Sequence, residues 1–122
     1  MRSKFERDVA KAFRKAEINF VYEPEVVHFV QPKKDRKYIP DFRIRTKKGY
    51  VCFVETKGRL TREDRQKLMW IREQHPKMKL ILLFMNSDVR LAKNSPTSYG
   101  QWATKVGFTW FDYRKGLPKE WT

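Results

Sequence analysis

Two carboxylates and one ammonium stand out in the segment YIPDFRIRTKKGYVCFVETKG, residues 38–58. Asp41 and Glu55 lie among residues that favour a buried sheet, and Lys57 follows the second acid by two places. Residues 47–49, KKG, make a three-residue loop with glycine last, which suits a hairpin built from a type I turn and a left-handed residue. That loop predicts a register in which Thr46 faces Tyr50 and, counted back, Asp41 faces Glu55. Directly opposed side chains of an antiparallel pair have Cβ atoms about 4.5 to 5.5 Å apart. Lys57 then lies on the same face, about 7 Å along the strand. Phe42, Ile44, Cys52 and Val54 turn to the other face and a core.

Carboxylates held this close repel each other, and burial would drive one of them to keep a proton. A hard divalent cation removes the conflict, since Mg²⁺ binds through one or two carboxylates together with waters and phosphate oxygens. Such an ion lowers the pKa of a bound water and neutralises phosphoryl charge. An adjacent lysine orients that water or steadies the charged transition state. Asp41, Glu55 and Lys57 therefore predict a phosphodiesterase centre that uses Mg²⁺, with Mn²⁺ as a substitute and no small-molecule cofactor. A Glu-x-Lys on a strand is by itself usually a solvated ion pair. The Pro-Asp on the paired strand, the apolar flanks and the charge of the chain turn the reading towards catalysis.

The elements that must hold this hairpin can be read on either side of it. Phe5, Val9, Ala12, Phe13 and Ala16 recur at helical spacing behind a Ser3 cap, which predicts a helix over about 4–17. INFVYEPEVVHFV is strand-like but interrupted by Pro24, as in an edge strand or a bulge. QPKKDRK reads as a loop, followed by strands at about 38–46 and 50–57. Thr61 caps a helix of about 62–75, closed by His75 and Pro76, and MKLILLFM reads as a strand covered on both faces. A strand, a helix and a buried strand in succession form a right-handed parallel crossover. A helix of about 96–106 starts at Ser95-Pro96 and stops at Gly107, and FTWFDY supplies the last strand. The order αβββαβαβ predicts an α/β fold, a mixed sheet flanked by helices, in one domain over residues 1–122.

Composition narrows the partner. The 28 Lys and Arg against 14 Asp and Glu give a formal charge of +14, which points to a polyanion and first to nucleic acid. No segment approaches the roughly 20 apolar residues of a membrane span, and 15% aromatics argue against disorder. The single Cys52 excludes an intramolecular disulfide and a cysteine-based zinc site, and its place in a strand reads as a buried thiol. The start MRSKFERDVA lacks the apolar core of a signal peptide, so a reducing cytoplasm is expected. Arg43, Arg45 and Lys47, with Lys33, Lys34, Arg36, Lys37 and Lys48, could form a basic wall for DNA, and Arg59, Arg62 and Arg65 follow the lysine of the centre. Ser95, Thr97 and Ser98 could hold a phosphate on free helix-start amides or act as plain caps. His28 and His75 read as structural, and Trp70, Trp102 and Trp110 as packing.

Pro40-Asp41 followed by Glu55-Thr56-Lys57 resembles the PD-(D/E)XK nuclease signature, whose members share a restriction-endonuclease-like core. Longer strings are more specific: Ile39-Pro40-Asp41-Phe42, Phe53-Val54-Glu55-Thr56-Lys57-Gly58, Ile71-Arg72-Glu73-Gln74-His75-Pro76 and Ser95-Pro96-Thr97-Ser98-Tyr99-Gly100. In this order and spacing they resemble the endonuclease I family of short-tailed phages, which are Holliday-junction resolvases. The likeness runs from about residue 4 to residue 113. It implies that Asp41 and Glu55 bind metal, that the Thr56 backbone carbonyl adds a ligand, and that Lys57 assists the attacking water. It also implies a second metal approached by Glu6, although Ser3-Lys4-Phe5-Glu6 also reads as a capping box. The sequence departs from the family at Val21, where a glutamate is usual, with Glu23 close by. No basic tail follows the last expected strand, where family members can carry one, which implies weaker junction affinity.

The combined expectation is a Mg²⁺-dependent endodeoxyribonuclease that nicks phosphodiester bonds at four-way junctions and other branched DNA, resolving them during recombination. Two strands must be cut, so a homodimer with two active sites is expected, joined with or without exchange of elements through the Pro24 to Pro32 region. If phage-encoded, it would work in the host cytoplasm. The alternatives are a nicking endonuclease of the same fold with another DNA target, a DNA-binding module without cleavage, and a basic RNA-binding protein.

Overall fold

The computed structural model describes residues 2–31 and 34–122. Helix α1 (Lys4–Lys15) starts where the Ser3 side chain accepts the Glu6 N–H, and its apolar stripe buries Phe5, Val9, Ala10 and Phe13. Strands β1 (Asn19–Tyr22), β2 (Val27–Gln31), β3 (Lys34–Tyr38), β4 (Phe42–Arg45) and β5 (Val51–Lys57) follow. Then come α2 (Arg62–Gln74), β6 (Leu80–Phe84), α3 (Tyr99–Val106) and β7 (Thr109–Asp112), with short 3-10 turns at Tyr113–Lys115 and Lys119–Trp121. The main sheet has the order β1-β4-β5-β6-β7, and β2 and β3 form a separate hairpin. β1, β4 and β5 pair antiparallel, and β5, β6 and β7 pair parallel through the two helical crossovers.

The sheet separates two apolar layers. Phe42, Ile44, Cys52, Val54, Ile81 and Leu83 pack under α1 and against Trp121. Leu80, Leu82 and Phe84 pack with Leu68, Ile71, Trp102 and Ala103 on the opposite side, where α2 and α3 lie. All five residues of β6 are buried, as a central strand covered on both faces requires. The described residues contain no helix long and apolar enough to cross a membrane.

The expected hairpin register is present. Thr46 N–H donates to the Tyr50 carbonyl at 2.9 Å, and Gly49 takes the left-handed conformation with φ of +87°. Phe42 then pairs with Val54, and one more step brings Asp41 opposite Glu55.

Three boundaries differ from the sequence reading. Residues 34–37 were expected in a loop but belong to β3, which pairs with β2 from Gln31 opposite Lys34 to Val27 opposite Tyr38. Asp35, Arg36 and Lys37 are exposed, while Phe29 and Tyr38 are buried in the α2 layer. Tyr38 accordingly belongs to this hairpin and not to β4. The strand-like run around Pro24 is two strands in two sheets, because the chain turns at Glu23, whose φ is +46°. Helix α3 starts three residues later than expected, because Ser98 and Gln101 form a reciprocal capping box that outcompetes Ser95-Pro96 as the start. The core order αβββαβαβ is otherwise kept, with the β2–β3 hairpin inserted after β1.

That hairpin is docked by side chains from the end of α2. The Gln74 amide accepts from Val30 N–H at 2.6 Å and donates to the Val30 carbonyl at 2.7 Å. His75 Nε2 donates to the His28 carbonyl at 2.6 Å. Backbone groups at the edge of β2 thereby find partners that a further strand would otherwise supply. His75 is structural in this sense, and its neighbour Gln74 shares the task.

Candidate active site

Asp41 stands one residue before β4, and its placement is fixed from the neighbouring strand. Its Oδ2 accepts the Thr56 N–H at 2.9 Å and the Thr56 hydroxyl at 2.8 Å. Glu55, 8% exposed, accepts the Tyr38 hydroxyl on Oε1 at 2.6 Å. Its Oε2 lies 3.6 Å from the Lys57 ammonium. Lys57 in turn lies 3.4 Å from Asp64 on the first turn of α2. The two acids and the lysine expected from sequence are therefore gathered at one end of the sheet.

The electrostatics show the strain of this grouping. Burial, reinforced by the charge of Asp41, pushes Glu55 up to about 7, against the opposing pull of Lys57 and the Tyr38 hydrogen bond. Burial also raises Asp41, with Glu6 adding to the rise, although both Thr56 hydrogen bonds favour its ionised form. Asp64 behaves oppositely: burial works to raise it, but the Thr61 N–H and the Lys57 charge outweigh that and hold it low.

A buried acid and a half-buried one that resist joint ionisation and present hard oxygen donors fit a divalent cation. Among the described residues no three His, Cys, Asp or Glu side chains form a ready-made cage. Thr56 points its N–H at Asp41, and a residue in an extended strand carries its N–H and C=O on the same side. The Thr56 carbonyl thus faces the side occupied by Asp41, where β4 has not yet begun. Glu6 comes close enough to act on Asp41 electrostatically. Only half of its capping box forms: Ser3 accepts the Glu6 N–H, while the Glu6 carboxylate accepts the Tyr22 hydroxyl at 2.5 Å.

The expected DNA-contact residues are dispersed. Arg43 is tied to Glu25 at 2.6 Å, and Arg45 and Lys47 continue along β4 to the hairpin tip. At 3.3 to 3.4 Å per residue, Lys47 ends about 20 Å from Asp41. Arg59 is exposed just past β5, and Arg65 donates to the Leu60 carbonyl at 3.1 Å. Arg62 joins Arg36, Lys37 and Lys67 around a cavity of about 680 Å³ between the hairpin and α2, floored by Phe29 and Trp70. Lys33, the side chain of Lys34 and Pro32 lie outside the described residues. The amides near Ser95, Thr97 and Ser98 are already engaged. Thr97 N–H donates to Ser95 Oγ, Ser98 N–H to Gln101, Tyr99 N–H to Val89, Gly100 N–H to Ser87 and Gln101 N–H to Ser98. The Ser95 and Ser98 hydroxyls serve as caps. Trp102 is buried, while Trp70 and Trp110 are partly exposed at the edges of the α2 layer.

Two residues of the site escaped the sequence reading. Asp64 could have been found from Thr61-x-x-Asp64, a capping box that puts an acid on the first turn of the helix after Lys57. Tyr38 was assigned to the strand of Asp41, and only the separate hairpin explains how it reaches Glu55.

Comparison of the sequence with known proteins identifies its family. The model of the family described as phage endonuclease I matches residues 1–122. Endonuclease I of Escherichia phage T7 is 40% identical over 120 residues, covering 98% of this chain and 76% of that protein. Endodeoxyribonuclease 1 of Enterobacteria phage T3 is 40% identical over 111 residues, 91% of this chain and 70% of that protein. With its paired acids and lysine on a mixed α/β core, the chain belongs to the phage endonuclease I family.

Proposed function

We propose that the protein is a Mg²⁺-dependent DNA endonuclease that nicks phosphodiester bonds at four-way junctions and other branched DNA, working as a homodimer. The observation that carries this reading is that Asp41, anchored on Thr56, lies close enough for its charge to act on Glu55, beside a lysine that is itself held by Asp64. The formal charge of +14 and the name endodeoxyribonuclease borne by a relative support DNA as the substrate. Branched DNA fits a basic surface whose cations suit phosphates, with shape rather than base edges selecting the target.

Asp41 and Glu55 would hold the ion with the Thr56 carbonyl, and Glu6 would extend the acidic rim. Bound there, Mg²⁺ supplies a water of lowered pKa and neutralises charge on the phosphoryl oxygens. Lys57 offers three donors at the rim of the pair. It orients the attacking water or donates to the phosphoryl oxygen that gains charge. Asp64 keeps the ammonium from collapsing onto Glu55 alone. Two copies of the centre are needed to cut two strands, which is why a homodimer belongs to the proposal.

The test uses a synthetic four-way junction and a linear duplex of equal sequence, each with Mg²⁺ or with chelator, resolved on a denaturing gel. Nicks in the junction that need Mg²⁺ and vanish with Glu55→Ala are expected. Equal cutting of the linear duplex would replace junction selectivity by another DNA target. Binding without cleavage would leave only a DNA-binding module.

A further inference from the structure

Tyr38 is 3% exposed in the α2 layer, and a phenylalanine would fill the same apolar slot. The residue carries a hydroxyl, however, and that hydroxyl donates to Glu55 Oε1 at 2.6 Å. Donor and acceptor come from different sheets, Tyr38 from the end of β3 and Glu55 from β5. The ring is clamped by its packing and by the Lys67 ammonium 5.2 Å from its centroid. A tyrosine has two soft side-chain torsions and Glu55 has three, so the packed phenol is the stiffer partner. With Oε1 taken, Oε2 is turned towards Lys57.

From this geometry we infer that Tyr38 is a positioning residue: its hydroxyl locks the rotamer of Glu55, so that one carboxylate oxygen is presented to the cation and the other is not. The inference rests on the proposed cation site at Asp41 and Glu55. Carboxylates that bind metals are commonly held by such outer hydrogen bonds, and losing one costs about 10- to 100-fold in metal affinity or activity. Placing the donor on the docked hairpin also makes the orientation of Glu55 depend on β3 being seated against α2.

The experiment compares Mn²⁺ binding to the full chain and to Tyr38→Phe by calorimetry without DNA, after melting curves show both folded. The Mn²⁺ dissociation constant is expected to rise about 10- to 100-fold in the variant. Its cleavage rate should fall at limiting Mn²⁺ and recover towards the native rate as Mn²⁺ saturates. Tyr113→Phe, which removes a hydroxyl bonded to the Asp8 carbonyl, should bind Mn²⁺ as the native chain does. Native affinity in Tyr38→Phe would overturn the inference, whereas a native chain that binds no Mn²⁺ would overturn the cation site beneath it. Should Tyr38→Phe not fold, 3-fluorotyrosine at position 38 keeps the contact. Its fluorine resonance is expected to shift on adding Mg²⁺ and to stay still in Glu55→Gln. A resonance that ignores bound Mg²⁺ would equally reject the inference.

Discussion

The Lys57 ammonium lies 3.4 Å from the Asp64 carboxylate, so the lysine that ends β5 is held by an acid on the helix that follows it. Asp64 has two tasks, since Oδ2 also accepts the Thr61 N–H at 3.0 Å and closes the helix start. Asp64→Asn keeps an acceptor for that cap and removes the charge that restrains Lys57. Removing a donor aimed at developing charge typically costs 10²- to 10³-fold in kcat, the loss expected for Lys57→Met. Asp64→Asn should lose less, about tenfold, as an outer contact does. Single-turnover cleavage and a melting curve for each variant check both the order of the losses and the preserved fold.

The raised Glu55 predicts how stability varies with pH without metal. The folded value of about 7 exceeds the ordinary 4.5, so the folded state holds a proton that the unfolded state releases. The stabilisation is fully present below about 4.5 and is lost as pH rises through about 7. The difference corresponds to a loss on the order of 3 kcal/mol. In chelator, the native chain should unfold at lower denaturant at pH 8 than at pH 5.5. Glu55→Gln should flatten that trend, and added Mg²⁺ should restore the native chain at pH 8. Denaturant midpoints at the two pH values measure all three.

Much of this centre follows from local rules. The KKG turn and the alternation of Phe42, Ile44, Cys52 and Val54 were enough to oppose Asp41 and Glu55, because register in a tight hairpin propagates one residue at a time. The β3 strand was hidden by its composition. Lysine, aspartate and arginine are poor strand formers, and only docking on α2 through Phe29, Tyr38 and the edge contacts of Gln74 and His75 makes the segment extended. Tyr38 joins the site through a tertiary contact, which no single-segment pattern reports. Helix α3 shows the converse: Ser95-Pro96 is a strong local start signal, overridden by a loop whose Leu91 N–H donates to the Thr97 carbonyl.

The basic cavity beside the centre offers a separable test of DNA contact. Arg62 and Lys67 line it together with Arg36 and Lys37. If these cations meet phosphates, replacing Arg62 and Lys67 by alanine should weaken junction binding. It should also reduce the slope of log affinity against log salt by about 2. Fluorescence anisotropy across a salt series in Ca²⁺ measures this without cleavage, and an unchanged slope would place the DNA elsewhere.

Packing under α3 gives a prediction independent of chemistry. A Cβ added at Gly100 would come within 2.7 Å of the Trp110 ring, which is anchored by a 2.8 Å hydrogen bond from Nε1 to Thr104. Gly100→Ala should therefore force the indole or the helix to shift, at a cost of about 1 to 3 kcal/mol. Chemical denaturation reads that cost directly.

The account turns on a divalent ion held between Asp41 and Glu55, and diffraction from crystals grown with Mn²⁺, recorded at the manganese absorption edge, addresses it most directly. An anomalous peak about 2 Å from an oxygen of each carboxylate is predicted, absent when Asp41 and Glu55 are both replaced by their amides. A catalytically competent crystal with its manganese elsewhere and those two acids bare would contradict it.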